Sequence, residues 1–256
     1  MKELYARNPV LAITGWLHWG LAASLLVAMP FDSRTILGIS PEIKPLKFAI
    51  SIAIFVWTLA WYLYYVRDRR RAVSTISWGV SICMVTEIVC ITLQSVRGVT
   101  SHYNIATPFD AAIFSTMGGT IGINTLLLMW VVALFLVENP RIPRGYLLGI
   151  RFGLIIFVLA SFEGVIMILH GSHTVGAMDG GPGLPFVNWS REHGDLRVAH
   201  FAGMHALQIL PLAGYWMSKR DDSRSVRPML GLGLGYLAVI VLLFWVAWKG
   251  RPILSL

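Results

Sequence analysis

The chain has 256 residues, of which 56% are hydrophobic and only 13% charged, with a mean hydropathy of +0.67. These values exclude a soluble globular domain and indicate an integral membrane protein. The formal charge of +8 would suggest nucleic acid in a soluble chain, but here topology accounts for the basic residues, and the lipid bilayer is the expected partner.

Apolar runs between charged or Pro/Gly-rich breaks predict seven spans, at about 9–29, 46–66, 73–97, 110–137, 145–170, 195–218 and 228–248. The expected fold is therefore all-α: a polytopic seven-transmembrane-helix bundle forming one transmembrane domain over 1–256. The first run is too long for a signal-peptide core and lacks a small-x-small cleavage site, so it reads as a retained helix. Twelve Lys and Arg residues (Lys2, Arg7, Arg67, Arg69, Arg70, Arg71, Arg141, Arg144, Lys219, Arg220, Arg224 and Arg227) fall on one side, against eight on the other. The positive-inside rule then places the N-terminus in the cytoplasm and the C-terminus outside, in what reads as a bacterial inner membrane. Glycines at a spacing of four, Gly118/Gly122 and Gly231/Gly235, mark expected helix contacts.

The first span carries His18 near its middle. In the third, Cys83, Glu87, Cys90, Gln94 and Arg97 are spaced 4, 3, 4 and 3 apart and form one stripe at about 100° per residue. The two cysteines stand about 10 Å apart on that helix, too far for a disulfide. Glu87 lies about 15 Å below the outer end, where a carboxylate without a partner is costly. It reads either as a group serving a cofactor, metal or proton path, or as a hydrogen-bonded packing residue. Arg97 is too far along the stripe to reach it. His102 falls in the following loop, and Asp110 is placed to complement the next helix N-terminus.

Glu163 to Gln208 holds five of the seven histidines. Glu163 and His170 share a face two turns apart and cannot both bind one ion on a straight helix. His170 and His173 could do so if the helix continues through Gly171, itself a plausible helix end. The Gly/Pro-rich 171–194 segment reads as a lid-like extracytoplasmic loop that Phe186 and Trp189 could lay back on the helices. His193, Arg197, His200, Met204 and Gln208 form a stripe, whereas His205 is turned about 140° from His200. No H-E-x-x-H occurs, so the helical zinc motif is missing.

Histidines on separate helices at one depth can ligate a b-type heme, and His18 and His205 are estimated at similar depths. Candidate cofactor-binding residues are thus His18, His200 and His205. His170, His173, His200 and His205 are the candidate ligands of a transition metal such as iron, copper or zinc, and Glu87 and Glu163 are the candidate catalytic, proton-handling carboxyls. The segment Asp179 to Trp189, followed by Arg197-Val-Ala-His200, resembles the external loop and histidine-bearing helix of heme A synthase-type membrane proteins. The resemblance covers about thirty residues. It implies heme on paired histidines near the external side, with His200 as the residue carried over.

Three functions are open on these grounds. The first is a heme- or metal-binding membrane redox protein or oxidoreductase with its site in the extracytoplasmic half, acting on a hydrophobic or quinone-like small molecule. The second is a zinc-dependent membrane hydrolase of a lipid-like substrate, and the third a proton-coupled transporter.

Overall fold

The computed structural model describes residues 2–253. It is almost entirely helical and divides into two compact units, Met1–Val131 and Val132–Leu256. Six helices are long and apolar enough to cross a membrane among the described residues, which makes this an integral membrane protein.

The first unit begins with the short α1 (Lys2–Arg7) and α2 (Pro9–Ala28). Asn8 separates them: its side chain accepts from the Leu11 N–H at 3.1 Å, Pro9 occupies the first helical position, and its amide donates to Ser77 at 2.7 Å. Arg7 lies 3.6 Å from the centroid of the Trp61 ring, tying α1 to α3 (Ile43–Leu63). Trp57 of α3 donates to the Ala12 carbonyl at 3.2 Å, and its indole passes over Gly15, where any larger residue would collide with the ring.

Next come α4 (Arg70–Val96) and α5 (Pro108–Val137). Thr107 caps α5 by accepting from the Asp110 N–H at 3.1 Å, and its hydroxyl donates to the Asp110 carboxylate at 2.7 Å. At the end of the unit formed by the α3 N-terminus and the α4 C-terminus, Ser95 donates to the Pro41 carbonyl at 2.8 Å and Arg34 to that of Val96 at 2.8 Å.

In the second unit, α6 (Arg144–His170), α7 (Arg197–Arg220) and α8 (Val226–Trp248) pack together, and α6 with α7 is the most extensive pairing. Glycines bring the two backbones into contact. A Cβ at Gly149 would stand 2.5 Å from the Leu210 carbonyl oxygen, one at Gly153 would stand 2.8 Å from that of Ala206, and Gly214 lies against the Gly145 carbonyl. The pairs run antiparallel from Gly145/Gly214 to Ala160/Gly203, about four turns of α6 against about three of α7. α8 joins through the Tyr236 hydroxyl, which donates to the Ala202 carbonyl at 2.7 Å.

The observed helices start or end within about three residues of the expected spans. α7, with Arg197, His200, His205, Lys219 and Arg220, falls outside the six helices apolar enough to cross a membrane by composition. At Gly118, Gly122, Gly231 and Gly235 a Cβ would meet nothing within 4 Å among the described residues, so the helix contacts expected there are made by other glycines.

Candidate functional site

The second unit contains most of the histidines. α6 ends at His170, because Gly171 turns left-handed (φ 75°) while its N–H bonds the carbonyls of Met167 and Ile168. The helix does not continue through Gly171, so the condition for pairing His170 with His173 on one helix is not met. His170 is exposed, shares a hydrogen bond with the Ser172 hydroxyl at 2.9 Å and lies beside the Trp248 ring.

His173 instead opens a small ordered structure made by the connector. Strands β1 (Thr174–Val175) and β2 (Gly194–Asp195) pair antiparallel, and Gly183 bridges Ser190. Two carboxylates hold this fold together. Asp179 accepts from the Thr174 N–H at 3.0 Å and lies 3.2 Å from Nδ1 of His173. Asp195 accepts from the Ser190 N–H at 2.9 Å and takes a bidentate pair of bonds from Arg197, at 2.9 and 2.6 Å.

Arg197 also donates to the Asn188 carbonyl, closing the 188–197 segment on itself. Burial pushes the Asp195 carboxyl up, but the hydrogen bonds and charge of Arg197, with His173 and the Ser190 N–H, outweigh it and hold the group below the usual carboxylate range. Because α7 begins at Arg197, His193 lies outside the helix, and the expected stripe from His193 to Gln208 starts one histidine later.

Within the α6–α7 seam, His200 brings its Nδ1 to 2.8 Å from the Ala160 carbonyl oxygen. A carbonyl only accepts, so Nδ1 carries the proton and Nε2 keeps its lone pair. Gly164 lies next to the Cε1 edge of the ring. Glu163, 6% exposed, has no hydrogen-bond partner for Oε1 among the described residues, a costly arrangement for a carboxylate. His205 faces elsewhere, as its spacing requires: its ring lies 4.3 Å from that of Phe201, which meets Trp189 of the connector at 5.5 Å. Trp189 therefore lays the connector on α7, whereas Phe186 is exposed.

Comparison of the chain with family models, with curated proteins and with solved structures found no match.

The first unit holds His18, 1% exposed, whose Nδ1 donates to the Thr14 carbonyl at 2.7 Å while Nε2 approaches the Met84 backbone without a hydrogen bond. On the α4 stripe, Glu87 is buried with the thiols of Cys83 and Cys90 beside it, and its carboxylate accepts one long bond, from the Thr120 hydroxyl at 3.4 Å, among the described residues. That hydroxyl has two closer acceptors, the carbonyls of Thr116 and Met117, at 3.1 and 3.0 Å. The upper stripe forms a separate network: Gln94 donates to Asp110 at 2.9 Å, and Arg97 bonds both Gln94 and Asp110. Arg97 thus serves Asp110 rather than Glu87, and Asp110, expected as a helix-end carboxylate, is buried in an ion pair.

Among the described residues no three His, Cys, Asp or Glu side chains stand close enough to hold a metal ion. The roles of Asp179, Asp195 and Lys44 escaped the sequence reading. For Asp195 and Arg197 the i, i+2 spacing before a helix was the available signal; for Lys44, 58 positions from its partner His102, there was none.

Proposed function

We propose that this is a heme-binding membrane redox protein in which Nε2 of His200 ligates iron in the second unit. The observation carrying this reading is the bond from His200 Nδ1–H to the Ala160 carbonyl. Iron-ligating histidines characteristically donate the other ring N–H to a carbonyl or carboxylate, which fixes the tautomer and turns Nε2 toward the metal. Gly164 leaves space at the ring edge, and an axial ligand to heme needs no cluster of three protein donors. The resemblance of the Asp179–Trp189 and Arg197–His200 segments to heme A synthase-type proteins favours the same group.

Heme held there would supply reversible one-electron transfer. The chain's own residues have separable tasks. Ala160 orients the imidazole, Glu163 holds a proton within α6, and Trp189 on Phe201 shields the connector side of α7 from water.

The same reading makes α7 a seventh span. It runs antiparallel beside α6 in close contact for about three turns, so a membrane crossed by α6 encloses α7 as well. Its polar residues are then sheltered by α6 and α8 rather than exposed to lipid. The excess of Lys and Arg in the short connectors supports a cytoplasmic N-terminus and an external 171–194 connector, as in a bacterial inner membrane.

The absorption spectrum of the full chain, purified in detergent from heme-replete cells, tests the proposal. A Soret band that disappears in His200→Ala is expected. A wild-type protein without one, or a band indifferent to that substitution, would sink the reading.

A further inference from the structure

We propose that the end of the first unit formed by Lys44, Phe48, Glu87, His102, Tyr103 and Phe114 binds the headgroup of an uncharged, lipid-soluble quinone or quinol.

Three observations converge on this place. Lys44, on the first turn of α3, brings Nζ to 3.1 Å from Nδ1 of His102, and the Ser101 hydroxyl stands equally close at 3.1 Å. An ammonium only donates, so Nδ1 accepts and His102 is a neutral imidazole with its proton on Nε2. Aromatic rings surround that imidazole: Phe48 at 5.9 Å, Tyr103 at 6.1 Å and Phe114 at 6.3 Å, with Tyr103 and Phe114 themselves 5.7 Å apart. Tyr103 holds a left-handed backbone (φ 58°), an unfavourable conformation for a bulky residue that its surroundings must enforce.

The third observation is continuity with Glu87. Phe48 also packs against the cluster of Cys90, Ile91 and Met117, and the Cys90 thiol lies within the electrostatic reach of Glu87. The charge of Lys44 acts on Glu87 as well. The cluster is thus one patch of aromatic surface with an ammonium and a neutral imidazole toward the helix ends and a carboxyl deeper in. Lys44, Phe48, His102, Tyr103 and Phe114 are all partly exposed rather than sealed in the core.

Charge selects the ligand class. An anionic headgroup would meet Glu87 and a cationic one Lys44, whereas a neutral group with hydrogen-bonding oxygens meets neither penalty. A flat ring matches the aromatic walls. Carbonyl oxygens accept from Lys44 or His102, and the hydroxyl of the reduced form donates to Glu87. A hydrophobic tail lets such a ligand arrive through the bilayer, which the six apolar helices require.

The test uses the full chain in lipid nanodiscs, titrated calorimetrically with a decyl-tailed benzoquinone. Saturable binding is expected, weakened about tenfold or more by His102→Ala and by Lys44→Met, and unchanged by Trp216→Ala in the second unit. Because a substituted protein can fail by misfolding, an azido-benzoquinone is also photolysed with the unmodified protein. Label recovered on peptides from α3, the 98–107 loop or the first turns of α5 supports the site. Absence of saturable binding, label confined to the second unit, or full affinity in both variants would overturn it. None of these readouts depends on heme, so a missing Soret band would sink the redox reading and leave this one standing.

Discussion

Nδ1 of His200 stands 2.8 Å from the carbonyl oxygen of Ala160 on the neighbouring helix, so the imidazole is oriented by backbone and not by another side chain. His205, five residues on, packs on the Phe201 ring at 4.3 Å and hydrogen-bonds the Gln208 side chain. The two histidines should respond differently to substitution. His205→Phe preserves an aromatic contact with Phe201 and is expected to leave the heme spectrum intact, whereas His200→Phe should abolish it. Equal loss in both variants, measured as heme per chain, would contradict the assignment of Nε2 of His200.

The α6–α7 contact has no room for added side chains. Gly149→Val places its Cβ 2.5 Å from the Leu210 carbonyl oxygen, and backbone on both sides must yield. Overpacking of this kind costs about 1–3 kcal/mol. Thermal unfolding in detergent should therefore show a lower midpoint for Gly149→Val, while Gly231→Val on α8, where nothing lies within 4 Å, should be close to wild type.

The clasp at the start of α7 has a definite pH dependence. The Asp195 carboxyl is held below its unfolded value of about 3.9. Its contribution to stability is thus complete above that value and is lost as pH falls through the lower, folded one. Cleavage of the 171–194 connector by pepsin should stay slow near pH 4 and accelerate only in stronger acid. Arg197→Ala leaves a buried carboxylate without its bidentate partner, costing on the order of 3 kcal/mol, and should move the acceleration to higher pH. Identical profiles for the two proteins would show that the Arg197 pair does not hold the connector.

Glu163 is the buried carboxyl of α6 whose Oε1 lacks a partner. If it exchanges a proton with the redox centre, Glu163→Gln should flatten the pH dependence of the heme midpoint potential while heme content and unfolding temperature are kept. A spectroelectrochemical titration between about pH 6 and 9 decides this. A variant with an unchanged slope would reduce Glu163 to a packing residue.

Long-range order was legible where it follows from local rules. Apolar runs located the helices, and the 4, 3, 4, 3 spacing from Cys83 to Arg97 placed Cys83, Glu87, Cys90 and Gln94 on one buried stripe, with Arg97 exposed at its end. Rotation also separated His205 from His200 correctly, because the angle between helical neighbours needs no tertiary knowledge.

What failed depended on partners distant in sequence. Gly145, Gly149 and Gly153 carry the same spacing of four as Gly118 and Gly122, yet Gly149 and Gly153 face the α7 backbone and Gly145 the Ser218 and Ser225 side chains, whereas a Cβ at Gly118 or Gly122 meets nothing within 4 Å among the described residues. Spacing alone does not say which helix lies opposite. A helix end is decided by one residue: left-handed Gly171, already a plausible end in the sequence, stops α6 before His173, whereas Asp195, whose carboxylate accepts the Arg197 N–H at 3.1 Å, starts α7 after His193, which spacing alone puts on the helix stripe. The Lys44–His102 bond joins residues 58 apart and left no trace in either local sequence.

The glycine-lined seam also bears on how the chain enters its membrane. If α7 is the seventh span proposed above, it differs from α6 in falling outside the helices apolar enough by composition to cross a membrane. A translocon releasing helices one at a time would therefore strand α7 at the aqueous surface. The backbone contacts from Gly145 to Ala160 offer an alternative, in which α6 waits at the lateral gate until α7 emerges and the two leave as a preassembled hairpin. Substituting those glycines would then reduce the amount of inserted protein at the ribosome, before any finished molecule exists to be destabilised.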